Sequence, residues 1–452
     1  MFGIRAPGRD VARLAYFGLY ALQHRGQESA GIAVSEDGRL TALRELGLVA
    51  QVFDERSLSG LQGELAIGHT RYSTTGGNEW ANSQPLLHHG RARTVALGHN
   101  GNLVNAAELR EDVGKPLAST SDSEVIAVLV ADDPRPLDEA VAATMDRLEG
   151  AATVVGLAEG KLFAFRDRHG FRPLVYGRLG DDPVVASETC ALDLVGATLE
   201  RELEPGELLV ADEDGVRVEQ AVAPAQHALC IFEFFYLARP DTKLEGVEVH
   251  AARVRMGERL AAEAPADADL VMPIPDSGTP AAVGFSRASG IPFSEGLVKN
   301  RYVGRTFIQP EQGMREQGIR MKFNPLAEVA GRRVVVVDDS IVRGSTTRQI
   351  VQMLFDAGAV EVHVRISSPP VVSPCFYGID LASPDEMIAA NASIAEVRDA
   401  IGATSLAYLS LEGLTEATRR PQNALCRACL TRRYPTAVPL DTAKHRFEAV
   451  RS

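Results

Sequence analysis

The run Val334–Thr347, VVVVDDSIVRGSTT, places two adjacent carboxylates between four valines and a Gly–Ser–Thr–Thr stretch. Four consecutive β-branched residues read as a strand buried on both faces. Asp338 and Asp339 at its carboxyl end cannot both be core residues, and ligands of open α/β sheets collect at such ends. The glycine and hydroxyls that follow precede a helical pattern, where backbone N–H groups and the helix dipole cradle phosphate. The spacing is not that of a Walker loop. An acidic turn followed by a helix cap is the competing reading.

A second constellation is sulfur. Cys426 and Cys429 form a C-x-x-C pair, and the other cysteines are Cys190, Cys230 and Cys375. A zinc ribbon needs two close pairs, and a thioredoxin-like dithiol belongs after an early strand. One pair plus two scattered cysteines suits a Cys₄ iron–sulfur site, with structural zinc and plain buried thiols as alternatives. Cys190, in ASETCALD, reads as a small apolar core residue.

The first half carries QHRGQESAG, GHTRYSTTG, GHNGNLVN and STSDSE, which pack polar residues and glycines around short apolar runs. Singly each reads as a turn, and together they read as a small-molecule pocket. Between the halves of the second region lies a basic stretch with Lys299, Arg301, Arg305, Arg315, Arg320 and Lys322. In a chain of net charge −13 it reads as a lid over an anionic substrate, or as a solvated loop.

The supporting elements divide the chain. Up to about residue 220 the sequence offers short β-type runs broken by Gly and Asp, with helical patterns at 10–23 and 123–130. From about residue 245 strands and helices alternate, which implies a parallel sheet with helices on its faces. In the helix after RGS, Ile350, Met353, Leu354 and Ala357 should form one buried stripe. Domains of 1–225 and 226–452 follow, and 452 residues are long for one core. The acidic balance argues against a nucleic-acid binder. No apolar run approaches a membrane span and no leader pattern opens the chain, so a cytoplasmic enzyme is expected. A regulator binding the same substrate without catalysis would need a DNA-binding domain, and no helix-turn-helix pattern occurs.

On these residues two resemblances stand. VVVVDDSIVRGSTT, with PIPDSGTPAAVG upstream, resembles the type I phosphoribosyltransferases. That resemblance implies that Asp338 and Asp339 hold ribose hydroxyls and Mg²⁺, with Ser277 near the metal. It gives Arg343, Gly344, Ser345, Thr346 and Thr347 to the 5′-phosphate, Asp276 and Ser277 to pyrophosphate, and Lys299 and Arg305 to the lid. The first half resembles the glutaminase domain of the N-terminal-nucleophile amidotransferases, an αββα sandwich. There Arg71 would clamp the glutamine carboxylate, Asp122 would accept from its ammonium, Asn100 and Gly101 would form the oxyanion hole, and Arg25 would line the pocket.

In this order, and with strings such as YFGLYALQHRGQESAGIAV and CFYGID, the halves together resemble the phosphoribosylpyrophosphate amidotransferases of purine synthesis. The resemblance implies glutamine-derived or free ammonia attacking phosphoribosyl pyrophosphate, with passage inside the protein. It further implies purine-nucleotide feedback, a homotetramer or dimer, and a 4Fe–4S cluster on Cys230, Cys375, Cys426 and Cys429. Glutamine-dependent sugar or asparagine synthesis shares the first half but does not need the aspartate loop.

In this family the nucleophile is an amino-terminal cysteine whose own α-amine acts as base, in a CGVFGI-like start. Here Phe2–Gly3–Ile4 match the residues that follow, and Met1 falls at the third position. Either the start is recorded downstream of the true one, or the glutaminase has been lost. In both cases the chain as written is expected to lack glutaminase and keep ammonia-dependent synthesis.

Overall fold

The computed structural model describes residues 1–73, 76–300, 320–381 and 383–438. Strands in the first half are β1 (Phe2–Arg5), β2 (Ser29–Glu36), β3 (Arg39–Leu46), β4 (Leu65–Arg71), β5 (Leu86–His89), β6 (Thr94–Leu103), β7 (Gly150–Ala158), β8 (Lys161–Phe165), β9 (Val175–Leu179), β10 (Asp182–Ala186), β11 (Thr198–Glu202), β12 (Glu207–Asp212) and β13 (Gly215–Gln220). They form two antiparallel sheets, in the orders β11-β9-β10-β1-β4-β2-β3 and β13-β12-β8-β7-β6-β5. Ile67, Ala96, Val155, Leu162 and Leu209 are buried together and draw on both sheets, so the two pack face to face. Helices Val11–Ala21 and Thr189–Val195 cover the first sheet, and Ser123–Asp132 and Leu137–Arg147 the second. The fold of this half is the expected αββα sandwich.

The second half contributes β14 (Leu229–Cys230), β15 (Lys243–Leu244), β16 (Val247–Glu248), β17 (Leu270–Pro273), β18 (Leu297–Lys299), β19 (Phe323–Pro325), β20 (Arg333–Asp338), β21 (Glu361–Ile366), β22 (Ser405–Tyr408) and β23 (Leu425–Cys426). Its main sheet is parallel, in the order β17-β20-β21-β22. Val334–Val337 are all fully buried, because β20 is central and covered on both faces. Helices Val249–Glu263 and Thr279–Ser289 pack on one face of this sheet, and Ser345–Asp356 on the other.

One expectation needs adjustment. The buried side of Ser345–Asp356 is Thr347, Ile350, Val351, Met353 and Leu354, whereas Ala357 is a half-buried C-cap. The helix ends at Asp356, and Ala359 N–H bonds to Leu354 O as the chain leaves for β21. The segment around the expected domain boundary is hydrogen-bonded to both halves. Ala225, Ala228 and Cys230 donate their N–H groups to Arg168, His169 and Phe171, and β14 pairs in parallel with β23. The described residues contain no helix long and apolar enough to cross a membrane.

Candidate active sites

The acidic pair sits where strand geometry puts it, at the carboxyl end of β20. Asp339 is 4% exposed. Burial, together with the charge of its neighbour, raises the Asp338 carboxyl well above the ordinary range. Burial also raises Asp339, opposed by Ser277, Ser340 and the buried Arg253 guanidinium. Ser340 Oγ donates to Asp339 Oδ1 at 2.6 Å. Two adjoining carboxylates that resist ionisation together are a donor set short of positive charge, and a hard divalent cation fits it.

Gly344 caps the twelve-residue helix Ser345–Asp356, so its free N–H groups open beside the pair. Ser345 and Thr346 are exposed there and Thr347 is buried. Arg343 reaches Glu386 at 3.2 Å. On the neighbouring strand end, Asp276 and Ser277 follow β17, and Lys299 Nζ donates to Asp276 Oδ2 at 2.5 Å. β18 and β19 pair antiparallel and form the neck of the basic segment. Arg301, Arg305 and Arg315 lie outside the described residues. Arg320 pairs with Asp356 at 3.6 Å.

In the first half, His69 Nε2 of β4 lies 3.0 Å from the carbonyl of His99 of β6, which ties the strand that carries Arg71 to the strand that carries Asn100 and Gly101. Arg71 is 4% exposed and donates to Gly76 O and Gly77 O at 3.1 and 3.2 Å. Burial lowers its pKa, and Glu28 and Asp122 offset this. Asp122 is 3% exposed and accepts from Leu103 N–H at 2.9 Å. Asn100 Nδ2 is buried with no hydrogen-bond partner among the described residues. Gly101 has no room for a side chain, since a Cβ would lie 2.0 Å from Ala151 O.

Arg25 is held by two carboxylates that the sequence motif did not reveal. Its guanidinium is held by Glu188 at 2.5 Å and by Glu233 at 2.7 and 2.9 Å, and both carboxylates are fully buried. All these contacts go to protein carboxylates, and the guanidinium also acts on the buried Met1 amine. Glu233 carried no sequence signal, since it stands 208 residues away in the chain. Cys190 is buried as expected, with its thiol pushed up to about 12 by burial, which is the opposite of an activated nucleophile.

The remaining four cysteines converge. The β14–β23 register pairs Cys230 with Cys426. Cys429 receives Val372 and Ser373 N–H groups at its carbonyl, and Cys375 Sγ accepts from Tyr377 N–H at 3.3 Å. Burial pushes the Cys230 thiol up to about 12 and raises Cys426 and Cys429, and each feels other members of the set. Among the described residues no group of three or more His, Cys, Asp or Glu side chains has the arrangement of a formed metal site.

A sandwich of the glutamine amidotransferase type joined to a parallel sheet of the phosphoribosyltransferase type defines the class, a glycosyltransferase with a glutamine amidotransferase domain. A model of the glutamine amidotransferase domain matches residues 69–194, and one of the phosphoribosyl transferase domain matches 247–367. The amidophosphoribosyltransferase of Mycobacterium bovis is 53% identical over 98% of this chain and 87% of its own length. That of Bacillus subtilis is 46% identical over 100% and 97%. The solved B. subtilis glutamine phosphoribosylpyrophosphate amidotransferase, complexed with ADP and GMP, matches with a TM-score of 0.92 at 45% identity, covering 98% of each chain. The chain belongs to the amidophosphoribosyltransferase family, transferases of purine biosynthesis that carry a glutamine amidotransferase domain.

Proposed function

We propose that Asp338 and Asp339, with Ser277, hold Mg²⁺ and the ribose hydroxyls of phosphoribosyl pyrophosphate. The observation that carries this is the acidic pair at the end of β20, Asp338 half-buried and Asp339 buried, six residues ahead of the helix that Gly344 caps. Arg343–Thr347 bind the 5′-phosphate, through N–H groups and hydroxyls. Asp276, Ser277, Lys299 and Arg305 take the pyrophosphate. When bound, the cation would supply charge neutralisation to the leaving pyrophosphate. The protein orients C1 toward ammonia, which attacks there as the bond to pyrophosphate breaks, giving 5-phosphoribosylamine.

In the other half Arg71 clamps the glutamine carboxylate and Asp122 accepts from its ammonium. Asn100 and Gly101 donate to the oxygen that becomes negative as the amide is attacked. The test measures glutamine binding by calorimetry in Arg71→Ala and Asp122→Ala, each of which should weaken it about tenfold or more. Unchanged affinity in both variants would refute the pocket assignment.

Cys230, Cys375, Cys426 and Cys429 suit a 4Fe–4S cluster by donor chemistry, four thiols whose protons a cluster would displace. When bound it would staple the tail to the junction between the halves. Purine nucleotides as inhibitors, a homo-oligomeric state and a cytoplasmic location complete the proposal. The relative complexed with ADP and GMP supports the first of these.

A further inference from the structure

Behind the strand that carries Asn100 and Gly101 lies a loop of the other half, residues 375–378. Asn102 Nδ2 donates to Phe376 O at 3.1 Å. Gly378, at φ +90°, approaches so closely that a Cβ would stand 2.7 Å from both the carbonyl carbon and the oxygen of Gly101. The loop is gripped from its other side by Arg172, which is fully buried and donates from Nε and Nη2 to Tyr377 O at 3.2 and 3.0 Å. The rings of Phe171 and Tyr377 stack with centroids 4.1 Å apart. Arg172 also donates to Glu233 Oε1 at 3.1 Å, and Glu233 in turn holds Arg25. One buried arginine therefore fastens the loop to the charge network behind the amide pocket.

From this contact we infer that Phe376–Gly378 is a positioning element for amide hydrolysis. Pressed against Gly101, it fixes the direction in which that residue's N–H meets the developing oxyanion. Gly378 touches no substrate and acts through Gly101. The inference rests on the oxyanion role proposed for Gly101. An oxyanion donor is useful only where charge develops, and removing one costs on the order of 10²–10³ in kcat. A misaimed donor loses part of that, and it leaves substrate binding by Arg71 and Asp122 intact.

The test uses the full chain with Met-Cys-Gly-Val in place of Met1 as parent. Gly378→Ala pushes on Gly101, and Asn102→Ala removes the bond to Phe376 O without adding bulk. Glutamate-release kcat should fall roughly tenfold or more in the first and severalfold in the second. The glutamine KM should stay within about twofold, and ammonium-dependent pyrophosphate release should be unchanged. Unaltered kcat in both variants, or equal loss of both activities, overturns the inference. A parent that releases no glutamate removes the oxyanion assignment itself, and the inference falls with it. In the chain beginning at Met1, the same substitutions should speed deuterium exchange at the amides of residues 99–103 and leave 334–337 unaffected. Unchanged exchange at 99–103 also overturns it.

Discussion

Glu202 offers a pH dependence whose size follows from its surroundings. It ends β11, where the first half meets the β15–β16 turn of the second, beside a cavity of about 360 Å³. The N–H of Glu245 donates to Glu202 Oε1, and Oε2 is buried without a partner. Arg166, Arg201, Glu204, His227, Glu245 and Arg420 line the same cavity. Burial pushes the Glu202 carboxyl from 4.5 up to about 7, against the pull of Arg166 and the Glu245 N–H. The folded protein therefore keeps this proton to higher pH than the unfolded chain. Its contribution is complete below about pH 4.5 and is lost as pH rises through about 7. At about 1.4 kcal/mol per tenfold, the full effect is roughly 3 kcal/mol. The cavity admits solvent, so about 1–3 kcal/mol is expected. Glu202→Gln stays neutral throughout. Urea unfolding at about pH 4 and about pH 8 should show the variant close to the parent at the lower pH and more stable by that amount at the higher. Parallel pH dependence in both proteins would refute the reasoning.

Glu233→Ala should cost on the order of 3–5 kcal/mol in urea unfolding, because it strands the buried charges of Arg25 and Arg172. Glu233→Gln should cost less, since an acceptor remains. Anaerobically purified protein should be brown and carry on the order of four irons per chain. Cys426→Ser should lose colour and iron together, whereas a colourless parent with stoichiometric zinc would decide for a structural zinc site.

The phosphoribosyl side was legible because its signals are local. A valine run, two carboxylates, a glycine and an amphipathic helix follow one another within Val334–Asp356, and each has its own period or turn chemistry. The one slip there, Ala357, arose because periodicity does not mark where the last helical turn stops. The amide side was legible only as scattered polar motifs. Its pocket is assembled by pairing across sheets, such as His69 against His99, which no window of sequence contains. The carboxylate partners of Arg25 were hidden for the same reason. One of them, Glu233, belongs to the other half, and a basic residue in a polar motif looks alike whether it faces a ligand or a buried carboxylate. The parallel pairing of Cys230 with Cys426 was equally hidden, although the choice of these four thiols over Cys190 could be made from the sequence.

The central claim is that the acidic pair at the end of β20 carries phosphoribosyl transfer. Its most direct test is pyrophosphate release from phosphoribosyl pyrophosphate with ammonium and Mg²⁺, which is independent of the glutaminase. Asp338→Asn and Asp339→Asn should each lower the rate by about a hundredfold or more, with thermal unfolding and far-ultraviolet circular dichroism preserved. Near-parental turnover in both folded variants would contradict the account.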